Sequence, residues 1–344
     1  MSGVPRLRSF RLIDELLRSR DRWPGALVDE AALRSAVEFT ENLPEIFNWL
    51  ILETRAAGPP KVDLLAAIID INGERASLED ALAGETPRPL ATARGLLESW
   101  SRGRDPALEA LRVLWFEWDA PFERATPLVL PAIDPRFWGP PGPRPRAASQ
   151  VELADAVHRA VHHDPQSPAI LERLISAITA LPDTGRALSS ASLRPRGIER
   201  SRLFVGLPRD QVMGWLEKIQ WPGDLARAAR LVNQIFWPWE QVFLQIEVAD
   251  HVTPYLGLEP RQHETARAEV ELRRVALSRL AGEGIVSRGF VDAVIGWSGS
   301  EPRRGGAIAH RNFHLKHVLE RDGSVDVKAY FGLYLTGSDS YAAS

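Results

Sequence analysis

The sequence predicts an α+β fold: ten antiparallel strands in five hairpins, ringed by helices, as one domain over 1–344. Three observations predict it. Runs rich in β-branched and aromatic residues arrive in pairs, five times. Segments with helical spacing of apolar residues fill the intervals between the pairs. The unit of hairpin plus helices recurs at very roughly 55–75 residues, an interval that signals a structural repeat. Successive hairpins prefer to pair with their neighbours in one sheet. Ten strands can then close into a barrel, which removes the exposed edges. An open or split α+β sheet is the alternative.

N-terminal helices are expected within 1–45, in RSFRLIDELLRSR and DEAALRSAVEFTENL. The first hairpin, near 47–70, is FNWLILETR and KVDLLAAIID, joined by AAGPP, whose Gly and Pro mark a turn. SLEDALAG and PLATARGLLESWSR follow as helices. The second hairpin, near 112–134, pairs RVLWFEWDA with TPLVLPAID. DPRFWGPPGPRPRAAS (Asp134–Ser149) has loop composition and is read as a connection; SQVELADAVHRAVHH and SPAILERLISAITALP then read as helices. The third hairpin, near 186–207, is the weakest: RALSSASL, then SRLFVGL. RDQVMGWLEKIQ and DLARAARLVNQIFW are helical, split by Trp-Pro-Gly. The fourth, near 241–259, pairs QVFLQIEVA with TPYLGLE across DHV. ETARAEVELRRVALSRLAG and VSRGFVDAVIGW are the next helices, and GSEPRRGGAIA (Gly299–Ala309) reads as a flexible loop. The fifth, near 312–335, is NFHLKHVLE and DVKAYFGLYL, turning at an Asp-Gly pair. Ser77, Ser149, Ser167 and Asp224 suit helix N-caps.

Composition narrows the function classes. Hydrophobic residues at 44% and charged residues at 25% suit a soluble globular protein. No apolar run reaches the roughly 18 residues of a membrane span, and the opening MSGVPRLRSFRLIDELL lacks the apolar stretch of a secretion signal, so a cytoplasmic location is expected. The chain has no cysteine, which excludes disulfides, cysteine nucleophiles and thiolate metal sites. A net charge of −3 gives no reason to expect a nucleic-acid partner. Phosphate-loop, dinucleotide and serine-elbow motifs are missing, as is any Asp-rich metal-binding run. His158 and His162 have the spacing of two ligands on one helix face, but without HExxH a solvated helix end is the simpler reading. Trp100, Trp215, Trp237, Trp239 and Trp297 lie on or beside helices and read as outer core.

Strand alternation sorts the side chains into two faces. Leu50, Leu52, Leu114, Phe116, Trp118, Leu203, Val205, Leu244, Ile246, Phe313, Leu315, Phe331 and Leu333 make the apolar face toward the helices. The opposite face holds Trp49, Glu53, Trp115, Glu117, Asp119, Arg202, Gln245, Glu247, Tyr255, Glu259, His314, Lys316, Lys328, Tyr330 and Tyr334. So many charges would not sit in a dry core. This face is either the wall of a wet lumen that binds something or the solvent side of an open sheet. Gly206, Gly257 and Gly332 also point inward and leave room for a ligand, or mark bulges. Cations on rigid strands suit a diphosphate. Tyrosine rings can shield an allylic cation, and a carboxylate can orient or deprotonate a nucleophile.

The order of elements over roughly 30–335, with Lys328-Ala329-Tyr330-Phe331 on the last strand and HLKHVLERDGSVDVKAYF as its hairpin, resembles the ABBA (PT-barrel) prenyltransferases. The resemblance implies a ten-stranded barrel of five αββα units. It implies transfer of a C5 or C10 allylic group from a prenyl diphosphate to an electron-rich aromatic or peptide acceptor. Under it, Arg202, Lys316, Lys328 and His314 would hold the diphosphate. Tyr255, Tyr330 and Tyr334 would form the shield, and Trp49 and Trp115 would seat the acceptor. Glu53, on the first barrel strand, would bind the nucleophile, with Glu117 nearby. No metal is expected on protein side chains; Mg2+ would come only with the diphosphate. The chain departs from the family in having a single Lys-x-Tyr strand. The competing expectation is a non-catalytic barrel that binds a peptide or small apolar ligand within a biosynthetic cluster. Cations that converge favour catalysis; cations neutralised by carboxylates favour binding.

Overall fold

The structure, a computed structural model, describes residues 12–19, 22–23, 25, 28–56, 61–70, 74–83, 86–122, 126–133, 147–237, 239–260, 266–303, 307–320 and 322–337. The hairpins form where the paired apolar runs fall. They are β1 (Trp49–Arg55) with β2 (Asp63–Ile69), β3 (Val113–Trp118) with β4 (Leu128–Ala132), and β5 (Arg186–Ser192) with β6 (Ser201–Pro208). The series continues with β7 (Gln241–Val248) and β8 (Val252–Pro260). A short β9 (Gly299–Pro302) precedes the last and longest pair, β10 (Ala307–Leu319) and β11 (Val325–Gly337). Every pairing is antiparallel; β11 pairs with both β10 and β1, so ten strands close into a barrel, with β9 added at the edge of β10.

Around the barrel lie α1 (Leu12–Arg18), α2 (Glu30–Thr40), α3 (Glu74–Leu82), α4 (Arg94–Arg102), α5 (Ala147–His162), α6 (Pro168–Thr179), α7 (Val212–Lys218), α8 (Leu225–Gln234), α9 (Ala266–Gly282) and α10 (Arg288–Trp297). Their ends have local causes. Asp224 accepts from the Arg227 amide at 2.8 Å and Ser287 from the Phe290 amide at 3.1 Å, while α4 stops at Gly103, which adopts φ +60°. Ser77 and Ser149 lie inside α3 and α5 rather than capping them, and Ser167 sits at the cap of α6 without a side-chain bond.

The barrel has two faces of different chemistry. Leu52, Phe116, Leu203, Leu244, Phe313 and Phe331 are at most 1% exposed and pack in one cluster with helix residues such as Trp100, Trp215 and Trp297. Inside, Ile51, Ala67, Val113, Trp115, Ala132 and Tyr330 form a second cluster with Trp49, Leu65 and Leu130, built from strand residues alone. The register is therefore the one the alternation sets, with Leu52 outside and Glu53 inside. No helix is long and apolar enough to cross a membrane among the described residues.

Other expectations about the fold fail as well. Gly299–Ala309 is not a plain loop: Ser300 and Glu301 lie opposite His310 and Ala309, because β10 extends beyond β8 and offers a free edge that residues 299–302 take up. Trp237 is 44% exposed instead of buried; it follows the end of α8, and the Arg279 guanidinium covers its ring at 5.1 Å. Of the Asp134–Ser149 segment, residues 134–146 lie outside the described residues, and 147–149 open α5.

Candidate functional site

The inward residues of β10, β11 and β1 meet by register. Lys316 is opposite Lys328, His314 opposite Tyr330, and Tyr330 opposite Glu53. Two ammonium groups so close need intervening acceptors, and they have them. Lys328 Nζ pairs with Glu53, which is 1% exposed. Lys316, 2% exposed, donates instead to the amide oxygen of Gln245, whose nitrogen donates to Glu259 Oε1 at 2.7 Å. On β6, Arg202 Nη2 donates to Glu247 Oε1 at 2.8 Å, and its guanidinium lies 4.8 Å from the Tyr255 ring centre, with Lys316 Nζ at 5.8 Å from the same centre. Lys316, Lys328, Arg202, Tyr255, Tyr330, His314 and Glu53 thus gather at one level of the lumen.

Burial sets the protonation states here. Burial alone would raise the Glu53 carboxyl, but the Lys328 and Lys316 ammonium groups outweigh it and hold it at about 2. Burial likewise disfavours charge on Lys328, and Glu53 reverses this, so its pKa rises. Glu259 goes the other way: burial pushes it up to about 7 against the pull of Lys316. Burial drops His314 to about 3, helped by the Arg273 and Lys316 charges. Its neutral ring stacks on Tyr330 at 4.3 Å and 4°, with Nε2 3.7 Å from Glu259. Between this cluster and an apolar wall of Ile51, Leu65, Trp115, Leu130 and Phe204 lies a cavity of about 70 Å³.

Trp49 and Tyr334 stand apart from the cations, while Trp115 lines the inner cavity with Arg202 and Lys316. Trp49 lies 4.8 Å from Tyr334 and 5.6 Å from Trp115, and His310 stacks on Tyr334 at 4.7 Å. Tyr334 is four residues along β11 from Tyr330, roughly 13 Å of strand, so it is not in one layer with Tyr255 and Tyr330. The inward glycines make room for side chains, not for a ligand. A Cβ at position 257 would meet Lys316 Cε at 2.8 Å, Gly206 faces Phe243, and Gly332 faces Asn312 and Trp49. Gly257→Ala should therefore push Lys316 off Gln245 and cost about 1–3 kcal/mol, read as a lower urea midpoint.

Arg196 is the residue that the strand pattern does not single out. It stands on the 3-10 turn Arg194–Arg196 between β5 and β6. It donates to Glu117 at 2.6 Å and, through two nitrogens, to both oxygens of Asp119 at 2.7 Å. Its charge keeps the buried Glu117 carboxyl below its ordinary value despite burial. A second cavity, about 280 Å³, opens here among Glu117, Asp119, Pro121, Thr126, Leu128 and Arg196. His158, expected at a solvated helix end, is 5% exposed; its ring lies against His162 at 4.7 Å and its Nε2 is 3.6 Å from Asp164. No group of three or more His, Asp or Glu side chains is arranged to hold a metal among the described residues. Comparison with models of known protein families gives no match, and neither does comparison with curated proteins.

Proposed function

We propose that the lumen binds one small ligand with an aromatic or apolar body, such as a peptide side chain, against Trp115, Leu130 and Phe204. The observation that supports this reading is charge balance. Lys328 is met by Glu53, Arg202 by Glu247, and Arg196 by Glu117 and Asp119, while Lys316 rests on an amide. A diphosphate would find only Lys316 without a carboxylate partner among these cations and would have to separate the other buried pairs, each held by a charge-assisted bond of about 1.5–3 kcal/mol. The inner cavity, at about 70 Å³, also takes a ligand fragment rather than a prenyl diphosphate with its acceptor. Ordinary ligand pockets run to about 300–1,000 Å³.

One observation favours a second reading, prenyl transfer. Lys316, Lys328 and Arg202 converge with Tyr255 and Tyr330 beside Glu53, as the ABBA resemblance implies. Among the described residues the buried Tyr255 hydroxyl has no hydrogen-bond partner, which leaves a donor for an incoming oxygen. Calorimetry with two probes separates the readings. N-acetyl-tryptophanamide is expected to bind and dimethylallyl thiodiphosphate to give no heat. Binding of the diphosphate analogue, together with a prenylated product from allylic diphosphate and aromatic acceptors by mass spectrometry, would replace the first reading with the second.

A further inference from the structure

The barrel is not equally closed all round. Most neighbouring strands share ladders of several residues, but β4 and β5 are joined by a single registered pair, Ala132 opposite Ser189. Backbone hydrogen bonds are what a barrel seam is made of, so this seam is the easiest to part. Beside it, the Arg194–Arg196 turn does with side chains what the ladder does not. Arg196 reaches from the β5 side, past β4, to Glu117 and Asp119 at the end of β3. Arg194, on the same turn, donates to both oxygens of Asp164 at 2.5 Å and so fixes the turn to the connection between α5 and α6. On the lumen side a small apolar contact of Leu128, Ala191 and Leu193, with Leu130 against it, backs the seam; on the outer side α5 lies over it, with Val129 and Ala187 in the main core and Gln150 donating to the Ala187 carbonyl at 3.1 Å. The two cavities lie on either side of this point: both are lined by Glu117, the outer one with Leu128 and the inner one with Leu130.

We propose that the β4–β5 seam is the entrance to the lumen and that Arg196 is its latch. With Arg196 bound to Glu117 and Asp119 the outer cavity is cut off from the inner one. When those bonds break, β4 can swing from β5 and the two cavities join into one of ordinary ligand size. The latch rests on the reading of the lumen as the ligand site, but its test reads access and needs no ligand.

The chain has no cysteine, so a single introduced thiol reports its own exposure. Leu130→Cys places it at the seam, Ile51→Cys on the opposite lumen wall, and Leu244→Cys under the helices as a control. Each is labelled with iodoacetamide, a small neutral reagent, with and without Arg196→Ala. Loss of the latch should raise the rate at both 130 and 51 by roughly 10-fold or more and leave 244 unchanged. Asp119→Asn, at the rim and milder, should raise both by a smaller factor and serves if Arg196→Ala does not fold. An unchanged rate at 51 in both variants overturns the proposal, whether or not 130 speeds up, since that is local fraying at most. Equal acceleration at 244 also overturns it, because the whole molecule then loosens.

Discussion

Replacing Lys328 with alanine is expected to destabilise the protein by about 3–5 kcal/mol, the usual loss when one partner of a buried ion pair is removed. Glu53 is 1% exposed and would be left as an unpaired carboxylate. The pH dependence gives the sign. With Lys328 present the folded Glu53 titrates at about 2 against an ordinary 4.5. Its contribution of about 3 kcal/mol is therefore full above pH 4.5 and is lost as pH falls through 2. In the variant, burial still raises Glu53 and only the Lys316 charge and the Tyr330 hydroxyl still lower it, so its pKa moves up from 2 and the pair's contribution is lost. The gap between the two proteins should be widest near pH 7 and shrink below pH 4.5. Adding Glu53→Gln to Lys328→Ala should recover most of the loss at pH 7. Urea unfolding of the three proteins at pH 7 and pH 4 measures this. A loss under 1 kcal/mol at pH 7 would mean that the pair is not formed in the folded protein. Because Lys328→Ala disturbs the fold itself, it is a poor variant for judging diphosphate binding; Tyr330→Phe, which keeps both charges of the pair and removes only the hydroxyl bonded to Glu53, is the better one.

The barrel was legible because its two faces differ so much. Leu50 and Leu52, or Leu114, Phe116 and Trp118, leave only one register that keeps the apolar stripe dry, and that register carries Glu53 and Glu117 inward. Even β5, poor in β-branched residues, forms because β6 supplies its partner and its burial alternates strictly. The strand β9 was not legible, since Gly299–Pro302 has no strand propensity of its own and exists only as an addition to the long edge of β10. Partners across the lumen were out of reach for a different reason. Alternation tells which way a side chain points but not which strand it meets on the far side. Lys316 with Gln245, 71 residues apart, and Arg196 with Asp119, 77 apart, depend on the stagger of the closed barrel. The glycines misled for the same reason: the space above Gly257 is filled by Lys316 from β10, a strand that lies next to β8 although helices α9 and α10 separate them in the chain.

The second large effect is a stabilisation. Glu259 is 3% exposed and its carboxyl is pushed up to about 7 from an ordinary 4.5. Between those values the folded protein holds a proton that the unfolded chain has released. Stability therefore falls as pH rises from 4.5 to 7, by about 3 kcal/mol in all, and stays low above. Gln at this position matches the protonated carboxyl in shape, and its side-chain oxygen can still accept from Gln245, which donates to Glu259 now. Glu259→Gln should leave stability unchanged at pH 4.5 and raise it by about 3 kcal/mol at pH 8. Lys316 needs no separate correction, because its pull on Glu259 is already contained in the value of 7. Urea midpoints at the two pH values decide the matter, and an equal gap at both would show that Glu259 does not titrate in this range. A raised carboxyl also bears on what the lumen accepts. An ammonium or guanidinium group entering beside Glu259 would ionise it and release a proton near pH 6, whereas an anion would hold the proton on. Proton release on binding, measured by calorimetry in buffers of different ionisation enthalpy, therefore reads the charge of the ligand before its structure is known.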